Sequence, residues 1–323
     1  MAAMSSPAIT ATTTLADLGE FGLIAELSRR FAQGDHVLIG PGDDAAVVAV
    51  PTGRVVVSTD VLVDGRHFRR DWAEAEDVGH RVAAANLSDL NAMGGVATAL
   101  TVGLAAPPDL PAAWALGLAD GIAAEAALVG ASVVGGDLTS ADQVMVAVTV
   151  LGYVDGEPVR RSGARPGDVL ALAGRQGWAA GGLAVLGRGF RSPRKLVDAY
   201  RRPEPPYAAG PQARMAGATA MIDVSDGLVA DVGHLAAASG VAVDITTGAF
   251  ELAEPLQAVG AALGADPMGF ILGGGDDHAL AATFPAGAAL PEGWTVIGTV
   301  AEGEGVTVDG AAYEGPTGHT HFS

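Results

Sequence analysis

The chain has 323 residues and a net charge of −19, from 37 acids against 18 bases, which argues against general binding to nucleic acid or an anionic membrane. It has no cysteine, which excludes disulfides, thiolate metal sites and Cys nucleophiles. The length suits roughly two domains, and with 49% hydrophobic residues a sizeable core is readily buried.

The opening MAAMSSPAITATTTLADLGE lacks a basic n-region and a sustained apolar run, so 1–17 reads as a disordered lead-in. No stretch of about 20 residues is apolar enough to span a membrane, and the cytoplasm is the simplest placement. A first helix is expected over Leu18 to Phe31, with Phe21, Ile24, Leu27 and Phe31 at helical spacing.

Gly40 to Asp60 is the most telling stretch. Asp43 and Asp44 sit in a loop punctuated by glycine and proline. Val55, Val56 and Val57 then predict a buried strand that delivers Ser58, Thr59 and Asp60 at its end. Carboxylates gathered without a counter-charge repel each other, and Mg²⁺ with its preference for oxygen resolves that. A solvated acidic loop capping a strand explains this stretch equally well. Asp64 and Gly65 mark a turn, and His67 beyond it reads as a turn residue.

From Asp77 to Met93 the pattern is helical, ended by Gly94 and Gly95. Val82, Asn86, Asp89 and Met93 fall on one stripe, where Asn and Asp are unexpected for mere core filling. A second helix near Ala112 to Leu128 leads into Ser132 to Asp137, an apolar strand followed by glycines and an acid. Gly136 would let a phosphate approach the backbone, and Asp137 could hold its metal. Val144 to Leu151 reads as a long strand.

A boundary near Asp155 divides the chain into 18–154 and 155–323. Arg160 to Asp168 is a basic turn before a strand at Val169 to Ala173, and Gly174 to Gly182 opens a helix. Six bases crowd between Arg188 and Arg202, read as a solvated linker around a helix or as a phosphate contact. Met221 to Val224 is a short strand, after which Ser225 or Asp226 is expected to cap a helix with core stripe Leu228, Val232 and Leu235. Gly240 ends that helix, and His234 lies on its surface. Leu272 to His278 repeats the strand, glycine and acid arrangement a fourth time. The terminal GPTGHTHFS is expected to fray.

These blocks together resemble the thiamine-monophosphate kinase family. They are GDDAA at 42–46, STD with its spaced HF at 58–68, NLSDLNAMGG at 86–95, GGD at 135–137, RSGARPGD at 161–168, DVSDGL at 223–228 and GGGDDHAL at 273–280. The resemblance implies the two-domain fold of aminoimidazole ribonucleotide synthetase. That fold has an N-terminal α/β domain that dimerises through its sheet and a C-terminal α+β domain that completes the site. It also implies ATP-dependent phosphorylation of thiamine monophosphate, several Mg²⁺ ions and a homodimer. By position Asp44, Ser58, Thr59, Asp60, Asp89, Asp137, Asp223 and Asp226 would bind metal. Gly136, Asp137, Arg161 and Ser225 would meet the nucleotide, and His67, Asp277 and His319 the substrate.

Where the family reads GGEDYEL this chain has Asp276, His278 and Ala279 substituted, and His319 stands at a family aromatic position. Both departures are expected on the substrate side. The acceptor would be an ionised phosphate oxygen, so no residue is assigned as general base. Two alternatives remain: another ATP-using enzyme of this fold, such as aminoimidazole ribonucleotide synthetase, and a non-catalytic Mg-nucleotide-binding protein. Selenophosphate synthetases and the hydrogenase-maturation dehydratases need a cysteine that is absent here.

Overall fold

Thr14 opens the first helix, α1 (Leu15–Ser28), through a capping box: its hydroxyl accepts the Asp17 N–H while Asp17 accepts the Thr14 N–H. The structure is a computed structural model that describes residues 9–10, 12–41 and 45–319. Much of the expected lead-in over 1–17 lies outside those residues, but Thr13 to Asp17 are tied down. Thr13 C=O accepts from Ala112 N–H, and Leu15 N–H donates to Leu110 C=O. The helix therefore begins three residues earlier than the apolar spacing indicates. Gly19, at φ 67°, kinks it and shifts its phase. Leu23 is buried, whereas Phe21 of the expected core stripe is 80% exposed.

The chain divides into two compact units, Met1–Asn86 with Ala97–Tyr153, and Leu87–Val96 with Val154–Ser323. This differs from a serial division at 154/155, because a stretch around the end of one helix belongs to the second unit.

The first unit contains β1 (Val37–Ile39) and β2 (Val47–Val48), an antiparallel pair, then β3 (Val56–Val63), α2 (Ala75–Ala92, continuing beyond the unit), β4 (Val96–Ala106), α3 (Ala112–Leu128), β5 (Ser132–Ser140) and β6 (Met145–Tyr153). Four strands form one sheet in the order β3-β6-β4-β5, with β3 and β6 antiparallel and β4 and β5 parallel. On β6, Val146, Val148 and Val150 are buried while the residues between them are not. β3 alternates in the same way, so Val57 is 60% exposed and the expected fully buried strand is half open. Asp60 also lies in mid-strand rather than at its end, because the ladder to β6 continues through Val63.

The second unit holds β7 (Val169–Ala173), α4 (Trp178–Gly187), α5 (Arg194–Arg201), α6 (Ala209–Met215), β8 (Ala220–Val224), α7 (Leu228–Ser239), β9 (Ala242–Ile245), α8 (Glu254–Leu263), α9 (Pro267–Gly273), β10 (Ala279–Phe284), β11 (Trp294–Ala301), β12 (Gly305–Val308) and β13 (Ala311–Ala312). Its seven strands run β13-β12-β9-β11-β7-β10-β8. Alternate strand residues feed two cores. Leu170, Leu172, Ile222 and Val224 pack with Leu228, Val232 and Leu235 of α7, as their spacing indicates. Ala171, Met221, Leu280 and Phe284 pack with Ala209 and Ala213 of α6. Burial on both faces explains why these strands read as continuous apolar runs.

One expected strand is a helix. Leu272 belongs to α9, where Asp266 caps the Met268 N–H and Pro267 fills the first turn. The acids Asp276 and Asp277 therefore follow a helix and precede a strand. Short apolar runs do not distinguish the two by periodicity. Among the described residues no single helix is long and apolar enough to cross a membrane.

Candidate active site

In the first unit, strand alternation sorts the expected ligands. Asp60 lies on the same sheet face as Val148, its buried cross-strand partner. Its backbone N–H donates to Asn86 Oδ1 (3.0 Å), and Asn86 Nδ2 donates in turn to Val82 C=O. Asn86 of the α2 stripe therefore anchors the strand that carries Asp60. Ser58 shares that face. Thr59 does not: its hydroxyl donates to Val148 C=O (2.9 Å) and meets the Thr149 hydroxyl on the open side of the sheet. The three residues therefore do not converge as side chains.

Asp137 is exposed on β5, and its carboxylate makes no hydrogen bond or ion pair to a described residue. Gly136 before it has a packing reason to lack a side chain, since a Cβ there would stand 1.9 Å from Val102 O on β4. His67 is held in its turn, its Nδ1 accepting the Val63 N–H (3.0 Å). Asp44 lies outside the described residues.

In the second unit the acids are embedded. Asp223, at the end of β8, is 4% exposed. Ser88 Oγ donates to its Oδ2 at 2.8 Å, and His278 Nδ1 lies 3.4 Å from the same oxygen. Burial alone would raise this carboxyl. The hydrogen bond and charge of His278, the Ser88 hydroxyl and the Arg161 charge together hold it below the ordinary carboxylate range. His278, one of the residues that departs from the family pattern, thus reaches an expected metal ligand. Asp89 is half-buried one residue beyond Ser88.

Ser225 and Asp226 do not cap α7 with their side chains; Gly227 occupies that position without a side-chain cap. The loop is held instead by Asp231, one turn into the helix. Its Oδ2 accepts the N–H groups of Ser225, Asp226 and Gly227, each at 3.0 Å. Burial pushes the Asp231 carboxyl up to about 7, against the pull of these amides. On the other edge of the loop, Asp276 N–H donates to Ser225 C=O and His319 N–H to Asp226 C=O. The expected frayed tail is therefore docked through Thr317 to His319, while Thr320 to Ser323 lie outside the described residues.

Asp277 is buried, with Oδ1 accepting the Ala179 N–H at the start of α4 (3.0 Å) and Oδ2 unpartnered among the described residues. Burial pushes this carboxyl up to about 7, opposed by the Ala179 amide and the Arg175 charge. His234 is exposed, as its place on the α7 surface requires.

Ser88 and Asp231 are absent from the sequence-level assignment. An acid in the first turn of α7 was visible in DVSDGLVAD, but nothing local showed that its carboxylate folds back onto the preceding loop. No three His, Asp or Glu residues among those described converge tightly enough to form a metal cluster. A cavity of about 230 Å³ in the first unit, bordered by Leu15, Gly19, Leu23, Leu104 and Leu138, contains none of the site residues. Its mainly apolar wall suits neither phosphate nor cation.

Residues 42–154 match the N-terminal domain of AIR synthase related proteins and residues 165–310 match the C-terminal domain. The two matches together define an AIR synthase related protein. A thiamine-monophosphate kinase from Mycobacterium tuberculosis strain H37Rv is 47% identical over 316 residues, covering 97% of this chain and 94% of the relative. The crystal structure of the thiamine-monophosphate kinase from Stenotrophomonas maltophilia aligns with TM-score 0.80 and 34% identity, over 91% of this chain and 98% of that one. AaThiL, solved in complex with AMPPCP and TMP, aligns with TM-score 0.77 and 33% identity, over 97% and 100%. The chain belongs to the thiamine-monophosphate kinase family, whose members are phosphotransferases.

Proposed function

We propose that the protein transfers the γ-phosphoryl group of ATP to thiamine monophosphate, giving thiamine diphosphate and ADP, as a cytoplasmic homodimer. The likeness to AaThiL in complex with AMPPCP and TMP, over nearly the whole of both chains, carries this reading. The transfer is one in-line displacement: a phosphate oxygen of the acceptor bonds to the γ-phosphorus as the bond to the β–γ bridging oxygen breaks. That acceptor oxygen is already ionised, so no side chain has to remove a proton.

The donor chemistry fits Mg²⁺. The candidate ligands offer oxygen only, Asp137 presents an open carboxylate and Asp226 a half-exposed one. Asp44, Ser58, Thr59, Asp60, Asp89, Asp137, Asp223 and Asp226 would hold several such ions, Thr59 through its main-chain oxygen, since its hydroxyl is engaged by Val148 C=O. Bound there, the ions would neutralise charge on two phosphate chains. Arg161 adds positive charge close to Asp223. Gly136, Asp137 and Ser225 lie on the nucleotide side of this reading, and His67, Asp277 and His319 on the substrate side.

Homodimerisation is supported by the open sheet face. Val57, Val61 and Met145 are exposed there on one face, an apolar surface that a second copy of the chain would cover. A monomeric mass by light scattering at micromolar protein would contradict it. The activity itself is tested with purified protein, Mg-ATP and thiamine monophosphate, detecting thiamine diphosphate directly. Its formation, abolished by excess EDTA, is expected. Absence of product, or undiminished turnover in EDTA, would overturn the reaction or its metal dependence respectively.

A further inference from the structure

The Ser225–Gly227 loop has its backbone fully committed. Three successive N–H groups at the entrance to α7 point inward at a single oxygen, Asp231 Oδ2, at 3.0 Å each. Both carbonyls at its centre are taken, Ser225 C=O by Asp276 N–H and Asp226 C=O by His319 N–H. Gly275 makes the first of these approaches feasible, since a Cβ there would stand 1.9 Å from Ser225 O. What remains directed outward is the Ser225 hydroxyl, on an exposed residue, and the half-exposed Asp226 carboxylate.

A run of amides at a helix start is ordinarily a nest for phosphate or another anion. Here the chain fills that nest with its own carboxylate, on a residue only 4% exposed. We propose that Asp231 is a positioning residue for phosphoryl transfer: it occupies the amide nest, fixes the loop, and leaves the loop to meet the nucleotide through a cation on Asp226 rather than through its backbone. The inference rests on the reading of Asp223 and Asp226 as Mg²⁺ ligands. Asp231 itself touches neither ion nor substrate in this scheme. Its influence passes through the loop backbone to the direction of the Asp226 carboxylate. Weakening this acceptor while keeping the shape should therefore alter the demand for Mg²⁺ more than the maximal rate.

The test measures Mg²⁺-dependent binding of AMPPCP by calorimetry, with melting temperature recorded in parallel. Asp231→Asn keeps the volume but weakens the hydrogen bonds to three amides. It is expected to raise the Mg²⁺ concentration for half-maximal binding by about fivefold to tenfold, on the scale of one buried hydrogen bond. Leu235→Ala, in the same helix and fully buried, should lower the melting temperature yet leave that concentration unchanged. Equal Mg²⁺ demand in Asp231→Asn and wild type would overturn the proposal, as would an equal shift in Leu235→Ala. Should Asp231→Asn fail to fold, amide hydrogen exchange on the wild-type protein decides. Slow exchange at Ser225, Asp226 and Gly227 is expected, and fast exchange at all three overturns the clamp. Asp226→Asn tests the underlying reading separately. If that variant binds Mg-AMPPCP like wild type, the metal assignment falls, whatever Asp231→Asn does.

Discussion

Asp137 and Asp223 occupy the same place in a repeated device, an acid late in or at the end of an apolar strand, yet they are built oppositely. Asp137 is exposed, and its carboxylate makes no hydrogen bond or ion pair to a described residue. Asp223 is buried and already compensated by Ser88, His278 and the charge of Arg161. An open carboxylate gives up little structure when altered and has its charge free for a ligand. A buried one is part of the scaffold, so function and stability cannot be separated at that position. Under the proposed metal site, Asp137 would supply charge and Asp223 charge plus orientation.

The largest effect should come from Asp137→Asn. Loss of one preorganised electrostatic partner costs on the order of 10²-fold in kcat, while the melting temperature should stay at the wild-type value. Asp223→Asn should lower activity as well, but also stability by about 2 kcal/mol, because bonds to an ionised buried group are weakened. Comparable melting losses in the two variants would break the distinction. Ser88→Ala sharpens it further, with an expected loss of about 1–2 kcal/mol. Because the folded-state pKa of Asp223 is depressed, its contribution is present above the unfolded value and lost as pH falls through the folded one. Ser88→Ala should move that acid limb to higher pH, as read by denaturation across the acid range.

Asp277 has the opposite sign. Its carboxyl is raised to about 7, so the folded state binds the proton more tightly than the unfolded chain. Its stabilising contribution is complete below the unfolded value near 3.8 and is lost as pH rises to about 7. Asp277→Asn keeps the shape and an acceptor for Ala179 N–H but cannot ionise. Wild type should therefore lose stability relative to this variant between pH 4 and 7, by a few kcal/mol at most. A difference between the two that does not change across that range would show that Asp277 is not a strained acid.

Much of this contrast was legible in the residues and some was not. Apolar periodicity located α3, β7 and the core stripe of α7, because those elements bury one regular face or both. It misplaced the start of α1, where a capping box and the kink at Gly19 override spacing. The acids following apolar runs were conspicuous as a repeated pattern. Their environments were not, because burial is a property of the tertiary fold. Ser88 lies 135 residues from Asp223, and nothing in NLSD announces that its hydroxyl will meet that carboxylate. Asp231 was close in sequence to the loop it holds, but its short side chain turns back across the helix start, a direction that helical spacing does not encode.

The smallest effect concerns the tail. His319 N–H donates to Asp226 C=O at 3.0 Å, and Ala230 N–H donates to Thr317 C=O at 3.1 Å. Gly318 between them leaves no room for a side chain, since a Cβ would stand 2.9 Å from Ala230 Cβ and from Asp226 O. The backbone is thus fixed while the His319 side chain is exposed, the arrangement a stacking residue needs. Imidazole offers less ring surface than phenol, and an aromatic contact contributes on the order of 1 kcal/mol beyond burial. His319→Tyr should therefore lower the KM for thiamine monophosphate about fivefold, with the KM for ATP and kcat near wild type. His319→Ala should raise the first constant by a similar factor. Because the bond to Asp226 C=O comes from the main-chain N–H of His319, neither change should remove it. Truncation before Gly318 removes ring and hydrogen bond together, so it should affect both Michaelis constants. A truncated protein with both constants unchanged would separate the tail from the substrate and from the loop alike.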